Sequence, residues 1–440
     1  MANPLKDDAL LLLTRGYDTS EAIWQRARPG ARAVRTTALG GDALFMRGEE
    51  AVELFYDESK VRRHGAMPMA IQESLFGHGS VHSLDTAAHR HRKQTFLGLA
   101  YDDAEVRRLE PHLEREWSEE LADWIAGGER SAYDAAIGAI GRAMQRWAGL
   151  PGTPDAKTRW ARRQAQIVDG FGVPYSPEFL LTMANRWWSD RHASALIEAV
   201  RAGELEATAG TALHAWAWHR DQEGELLPAR LAGIELQNSF RPAIAVCRFV
   251  AFAAKALHER PEWRERIAAE TAERGKLTGG ALATAFAHEV RRTALFVPML
   301  PGRAIDEVEL DGERVSAGAL LLLDVLGTDL DESSWERAGE FDPERFVGID
   351  DWAEIEAMGA FVPQGGGHPS TGHRCPGEKV TLSTLTSAIA ALSDPRVTIL
   401  GEGLDVGRRR MPTKPASGGI VRSAHRRPRS SGTGGRCPFH

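Results

Sequence analysis

Along this chain the hydrophobic positions follow a helical period far more often than a strand period. Residues 104–126 carry apolar side chains at helical spacing among many Glu and Arg. Residues 132–150 follow and end at Pro151-Gly152, a stop signal. Further helices are predicted over 158–169, 177–202, 207–220, 281–295 and 381–392, and the longest over 228–259, between Pro228 and Arg260-Pro261. Strand signals are few. They cover 33–37 and 43–47, then 308–310 and 313–315 on either side of Asp311-Gly312, a dipeptide that favours a two-residue hairpin turn. The pattern predicts a mainly α fold with a small β region. No linker, charge block or internal repeat divides the first 420 residues, so 1–420 reads as one large domain. Residues 421–440 are basic and contain Gly, Ser and Pro, and a disordered tail is expected there.

Composition narrows the picture. With 440 residues, 42% of them hydrophobic and 26% charged, the chain is ordinary for a globular protein with a sizeable core. A net charge of −7 gives no reason to expect nucleic acid or an anionic membrane as partner. Cys247, Cys375 and Cys437 are too few and too scattered for a disulfide framework, which favours a reducing cytosol. The N-terminus has no basic segment, and its apolar run at 9–13 is too short for a signal or a membrane span. A cytoplasmic protein is expected.

Candidate chemistry centres on Cys375, in Gly372-His373-Arg374-Cys375-Pro376-Gly377-Glu378. Pro376 suits a first helical position, and the positive end of that helix would favour a thiolate. A thiolate beside the Gly-rich run Gln364-Gly365-Gly366-Gly367 suits axial ligation of haem iron. An inert buried cysteine is the plainer reading. Zinc held by Cys375, His373 and His368 is disfavoured, because structural zinc takes four ligands in paired spacings and the other cysteines are distant. Cys437-Pro438 lacks such a loop and is expected to be inert. Upstream, Glu289 and Arg292 share a helix face and can pair. Phe341-Asp342-Pro343-Glu344-Arg345-Phe346 offers Arg345 as a third member of that network.

The order Glu-x-x-Arg, Pro-Glu-Arg-Phe, Gly-x-x-Cys-Pro-Gly resembles the cytochromes P-450, over most of the chain. The resemblance implies that family's fold, a single haem-thiolate domain with haem b bound through Cys375. It implies Glu289, Arg292 and Arg345 as a buried network behind the ligand loop. It also implies Arg63, His89, Arg92, Lys93, His373 and Gly366 as haem-side residues.

One segment departs from the common P-450 pattern. Where a monooxygenase carries an acid followed by Thr, this chain reads Glu235-Leu-Gln-Asn238-Ser-Phe-Arg241-Pro242. Pro242 removes a helix hydrogen bond and crowds the carbonyl of Asn238, so a kink is expected there. Arg241 then faces an apolar cavity, and a buried guanidinium needs a partner. A carboxylate gripped by two parallel bonds suits it, whether from the protein or from a substrate. The segment resembles the bacterial fatty-acid peroxygenase branch of the family, as do the insertion 361–377 and the stretch Ser74-Leu75-Phe76-Gly77 through Lys93. This implies a long-chain fatty acid anchored on Arg241, next to Pro242, with its carboxylate serving as acid–base group and hydrogen peroxide as oxidant. A redox partner is then not required. His82 matches a position that is His in a terminal-alkene-forming member and Gln in hydroxylating ones. It is expected to hydrogen-bond water or peroxide and to donate a proton. Phe76 is expected to shape the pocket, and Phe171 to lie where the acyl chain passes. The products would be terminal alkene plus carbon dioxide, α- or β-hydroxy acids, or both. A redox-partner-dependent monooxygenase and a non-catalytic haem-binding sensor are the alternatives.

Overall fold

The structure is a computed structural model and describes residues 7–172 and 176–425. Ten helices matter for the site: α1 (Met69–Leu75), α2 (Thr86–Ala100), α3 (Asp103–Ile125), α4 (Ala132–Trp147), α5 (Pro154–Gly170), α6 (Pro177–Arg201), α7 (Ala229–Ala245), α8 (Cys247–Glu259), α9 (Ala281–Thr293) and α10 (Glu378–Ser393). Their starts follow side-chain chemistry. Ser131, Thr153 and Ser176 accept backbone N–H groups from the first turns of α4, α5 and α6, and Pro154 and Pro177 occupy first-turn positions whose N–H has no helical partner. The apolar faces of α3, α4, α7, α8 and α10 meet in one core around Trp117, Trp124, Trp147, Phe240 and Leu385, all fully buried.

Among the described residues ten short strands form three sheets. β1 (Ala33–Ala38), β2 (Gly41–Met46), β3 (Val61–Arg62), β5 (Met299–Ala304) and β8 (Leu320–Asp324) make a five-stranded sheet in the order β1-β2-β8-β5-β3, whose β2–β8 pair is parallel. β4 (Glu129–Ser131), β9 (Val397–Ile399) and β10 (Ile420–Ser423) form a second sheet. β6 (Val308–Leu310) and β7 (Glu313–Val315) are the predicted hairpin, with Asp311 at φ 55° and Gly312 at φ 82° turning it. The expected fold class, mainly helical with small sheets, is what the structure has.

Several boundaries differ from expectation. The helix expected over 228–259 is two helices, broken at Val246, whose N–H bonds to Ala243 three residues back. Pro242 itself remains inside α7, so the break lies after the proline and not at Asn238. The helix expected over 207–220 shrinks to Ala212–Ala217, because Gly210 takes φ 83° and Thr211 caps the start by accepting the N–H of His214. α10 starts at Glu378, so Cys375-Pro376-Gly377 precede the helix. The disordered tail expected from Val421 is contradicted over its first residues: Val421 is fully buried in β10 (Ile420–Ser423), between β4 and β9. Residues 426–440, Cys437 among them, lie outside the described residues. Among the described residues no helix is long and apolar enough to cross a membrane.

Candidate functional site

The loop before Cys375 lies where only glycine fits. A Cβ on Gly366 would stand 2.5 Å from Val52 Cγ1, and Gly365 and Gly367 take φ 98° and 71° against Tyr56. Gln364 ties the loop together. Its carbonyl accepts the Cys375 N–H at 3.3 Å, and its Nε2 donates to Thr381 Oγ1 at 3.0 Å and lies 3.8 Å from Cys375 Sγ. Its Oε1 accepts from Arg291 at 3.1 Å. Arg291 and Arg374, both buried, each donate at 2.8 Å to one oxygen of Glu378 at the start of α10. The expectation of a thiol acidified by the helix end is corrected. Burial, then the Glu378 carboxylate, push the Cys375 thiol up, and the Gly377 N–H, Lys93 and Arg291 only partly offset them.

Behind this loop Glu289 and Arg292 form a bidentate pair at 2.7 Å, both fully buried. Arg292 also donates to the carbonyls of Asp329, Ala338 and Glu340, so all five of its N–H groups are used. Arg345 approaches Glu289 at 3.8 Å and bonds the Arg337 carbonyl. The three residues are therefore brought together.

On the face beside Cys375, His89 and Lys93 lie one turn apart on α2. Lys93 is buried and donates to the carbonyls of Gly372 and of Arg374, the latter at 2.8 Å. Burial lowers its pKa to about 8, against the pull of Cys375 and Glu58. His89 stacks on His373, ring centroids 3.9 Å apart, and its Nδ1 is buried without a partner. His373 lies 3.5 Å from Asp85. Asp85 also accepts the backbone N–H of Arg63 and His64; burial pushes it up, but these bonds win and hold it below the usual carboxylate range. The Arg63 guanidinium sits over the Phe55 ring at 3.7 Å, with Nη1 unpartnered. Arg92 is a correction. One residue from Lys93, it points to another side of α2, bonding the Gly79 carbonyl at 2.7 Å and Glu235 of α7 at 3.3 Å.

Arg241, on α7, is 2% exposed. Its Nη2 donates to Asn238 Oδ1, and its Nη1 is buried with no partner. Among the described residues no carboxylate pairs with it. The nearby acids are taken: Asp190 by Arg186 and Gln237, Glu235 by Arg92, Asn238 and the Val81 N–H. Burial, then the Arg186 charge, push the Arg241 pKa well down. His82 stacks on Phe76 with centroids 3.9 Å apart. Its side chain keeps accessible surface although protein atoms surround it densely. Burial, with the charges of Arg241, His373 and Lys93, lowers it to about 3. The imidazole is thus neutral near pH 7, which corrects the expected proton-donating acid to a neutral hydrogen-bonding group. Phe171 ends α5 half-buried. Gln364, Asp85, Asn238 and Glu235 belong to this site and were not predicted as members. Their contacts with the loops reach across 11 to 162 residues of sequence, which spacing does not mark, although Glu235, Asn238 and Arg241 stand three apart on α7.

A half-buried thiol on a glycine loop, flanked by Lys93, by Arg63 with an orphaned donor and by His89 with an orphaned ring nitrogen, fits a haem. The sulfur supplies an axial ligand, and the cationic and N–H donors suit two propionate carboxylates.

Comparison with solved structures decides the family. Cytochrome P450SP alpha (CYP152B1), in complex with (R)-ibuprophen, is 34% identical with a TM-score of 0.84, over 94% of this chain and 98% of that chain. Cytochrome P450 OleT, ligand-free, is 30% identical with a TM-score of 0.86, over 94% and 96%. The chain is a cytochrome P450. It lies in the fatty-acid peroxygenase and decarboxylase branch with those two proteins, and the family implies a haem-iron cofactor. Curated relatives match only in short stretches. An ent-kaurene oxidase-like protein of Oryza sativa subsp. japonica is 44% identical over 62 residues, 14% of this P450 and 12% of that protein. Cytochrome P450 78A9 of Arabidopsis thaliana is 34% identical over 92 residues, 20% and 16%. No protein-family model matches the sequence.

Proposed function

We propose that this P450 uses hydrogen peroxide to oxidise free long-chain fatty acids near the carboxylate. The observation that carries the reading is the charge around Arg241. Three cations, Arg92, Arg186 and Arg241, share two carboxylates, Glu235 and Asp190; Arg92 and Arg186 each pair with one, and Arg241 is left with no carboxylate and with Nη1 unpartnered. An arginine does not shed its proton in a protein, so the depressed pKa is stored as a cost that an incoming anion relieves. A substrate carboxylate is the anion of matching shape. The solved relatives point the same way: a variant of OleT is in complex with arachidonic acid, and CYP152B1 binds (R)-ibuprophen.

Haem bound at Cys375 supplies the oxygen-transfer chemistry. The chain's own residues handle placement and protons. Arg241 fixes the acid end, which brings the α- and β-carbons within reach. The anchored carboxylate takes a proton from one oxygen of peroxide and returns it to the other, replacing the missing acid–alcohol relay. Neutral His82, held against Phe76, orients water or peroxide beside it. Hydroxylation consumes one peroxide and releases one water. Decarboxylation consumes one peroxide and yields terminal alkene, carbon dioxide and two waters. Neither route needs NAD(P)H or a reductase.

The test is peroxide-driven turnover of a panel of saturated acids by the haem-loaded protein, with products resolved by gas chromatography, for wild type and Arg241→Ala. Products from wild type and none from a variant that still binds haem support the reading. Undiminished turnover in Arg241→Ala, or turnover only with a reductase, contradicts it.

A further inference from the structure

We propose that Glu235 is a positioning residue: with Asn238 and Arg92 it clamps the segment carrying Phe76 and His82 to the helix carrying Arg241, and so sets which substrate carbon reacts. The inference rests on the fatty-acid reading above and adds a determinant of its product ratio.

The segment between α1 and α2 has little regular structure of its own. Gly77 and Gly79 take φ 93° and 74°, and a single 3₁₀ turn covers Val81–Ser83. Its backbone groups bond side chains from two helices. The Phe76 carbonyl accepts from Asn238 Nδ2 at 3.2 Å and the Gly79 carbonyl from Arg92 at 2.7 Å, while the carbonyl of Leu75, the last residue of α1, accepts from Arg186 at 3.4 Å. The Val81 N–H, next to His82, donates to Glu235 Oε1 at 2.8 Å. A Cβ on Gly77 would stand 2.8 Å from Ile234 Cγ2, so the segment presses directly on α7.

Glu235 is the hub. It is fully buried, and it accepts from Val81, from Arg92 at 3.3 Å and from Asn238 Nδ2 at 2.9 Å. Asn238 Oδ1 in turn accepts from Arg241. A continuous chain of bonds therefore runs from the backbone beside His82 to the acid anchor. A buried carboxylate is a costly way to hold two elements together, since an apolar pair of similar volume does it as well or better. What the carboxylate adds is a fixed geometry, because each of its three partners is a donor with a defined direction. The distance between Arg241 and the His82–Phe76 pair fixes where the α- and β-carbons lie.

Glu235→Gln tests this. Every group facing Glu235 is a donor, so the new NH₂ must oppose one of them. In haem-loaded protein, amide hydrogen exchange across 76–82 should quicken about tenfold while α9 and α10 keep wild-type rates. The ratio of alkene to hydroxy acid should move about threefold or more, with the spectral midpoint for fatty-acid binding changed by less than that. Arg92→Met should shift the ratio in the same direction, and Arg92→Lys, which keeps a charged donor, should restore most of it. If Glu235→Gln does not fold, the Arg92 pair decides. Wild-type exchange and wild-type product ratio in these variants would overturn the proposal. Faster exchange in a protein whose wild type yields no fatty-acid product would retain the clamp and overturn the function it is said to serve.

Discussion

Arg292 and Arg241 are both buried, and the protein treats them differently. All five N–H groups of Arg292 find acceptors, two of them on the Glu289 carboxylate. Arg241 makes one bond to a neutral amide and leaves a nitrogen unpartnered. A saturated pair holds structure in place and has nothing left to offer a ligand. A guanidinium kept short of a counter-ion costs stability, and its cost is recovered only when something anionic arrives. The contrast separates the scaffold behind the cysteine loop from the half of the site proposed to receive substrate.

The largest effect should come from breaking the saturated pair. Glu289→Gln leaves Arg292 buried without its charge partner, and a loss of about 3–5 kcal/mol is expected from denaturant melts, together with lower haem content. A melt unchanged within error would remove the contrast. Arg241→Ala should do the reverse. Fatty-acid turnover should fall on the order of 100-fold or more while the melt stays within about 1 kcal/mol of wild type, or improves. A smaller effect is expected at His82. His82→Gln should keep turnover and shift products toward hydroxy acid by a few-fold, read by gas chromatography. An unchanged ratio would reduce His82 to a wall of the pocket.

The smallest effect is that of pH on stability. His82 and His219 are lowered to about 3 and about 4, in both cases chiefly by burial. The unfolded chain takes its imidazole protons near pH 6.5 while the folded chain does not. Stability should therefore fall as pH drops from about 6.5 toward 4 and stay level above that window. Denaturant midpoints at several pH values check this, with His219→Gln flattening the slope. A midpoint that rises on acidification would contradict it.

The cysteine loop, the Glu289–Arg292 pair and Arg241-Pro242 were legible because each sits in a short run of fixed spacing. Gln364 and Glu235 were not, since the partners that tie them to other elements, Arg291 and Thr381 for one and Val81 and Arg92 for the other, come together only through packing. Arg92 was misplaced for a related reason. Neighbouring residues on a helix differ by about 100° in direction, and a basic run does not say which member faces the cofactor. At Cys375 the positive helix end was legible, but without a bound metal burial and the Glu378 carboxylate outweigh it and push the thiol up. The 207–220 helix failed on Gly210, whose positive φ sets the start later.

The central claim is that a buried positive charge at the broken helix awaits a carboxylate. The most direct measurement is a spectral titration of haem-loaded wild type with a saturated fatty acid and, in parallel, with its methyl ester. The acid should shift the haem absorption and the ester should not, with Arg241→Ala abolishing the difference. Equal binding of acid and ester by wild type would contradict the account.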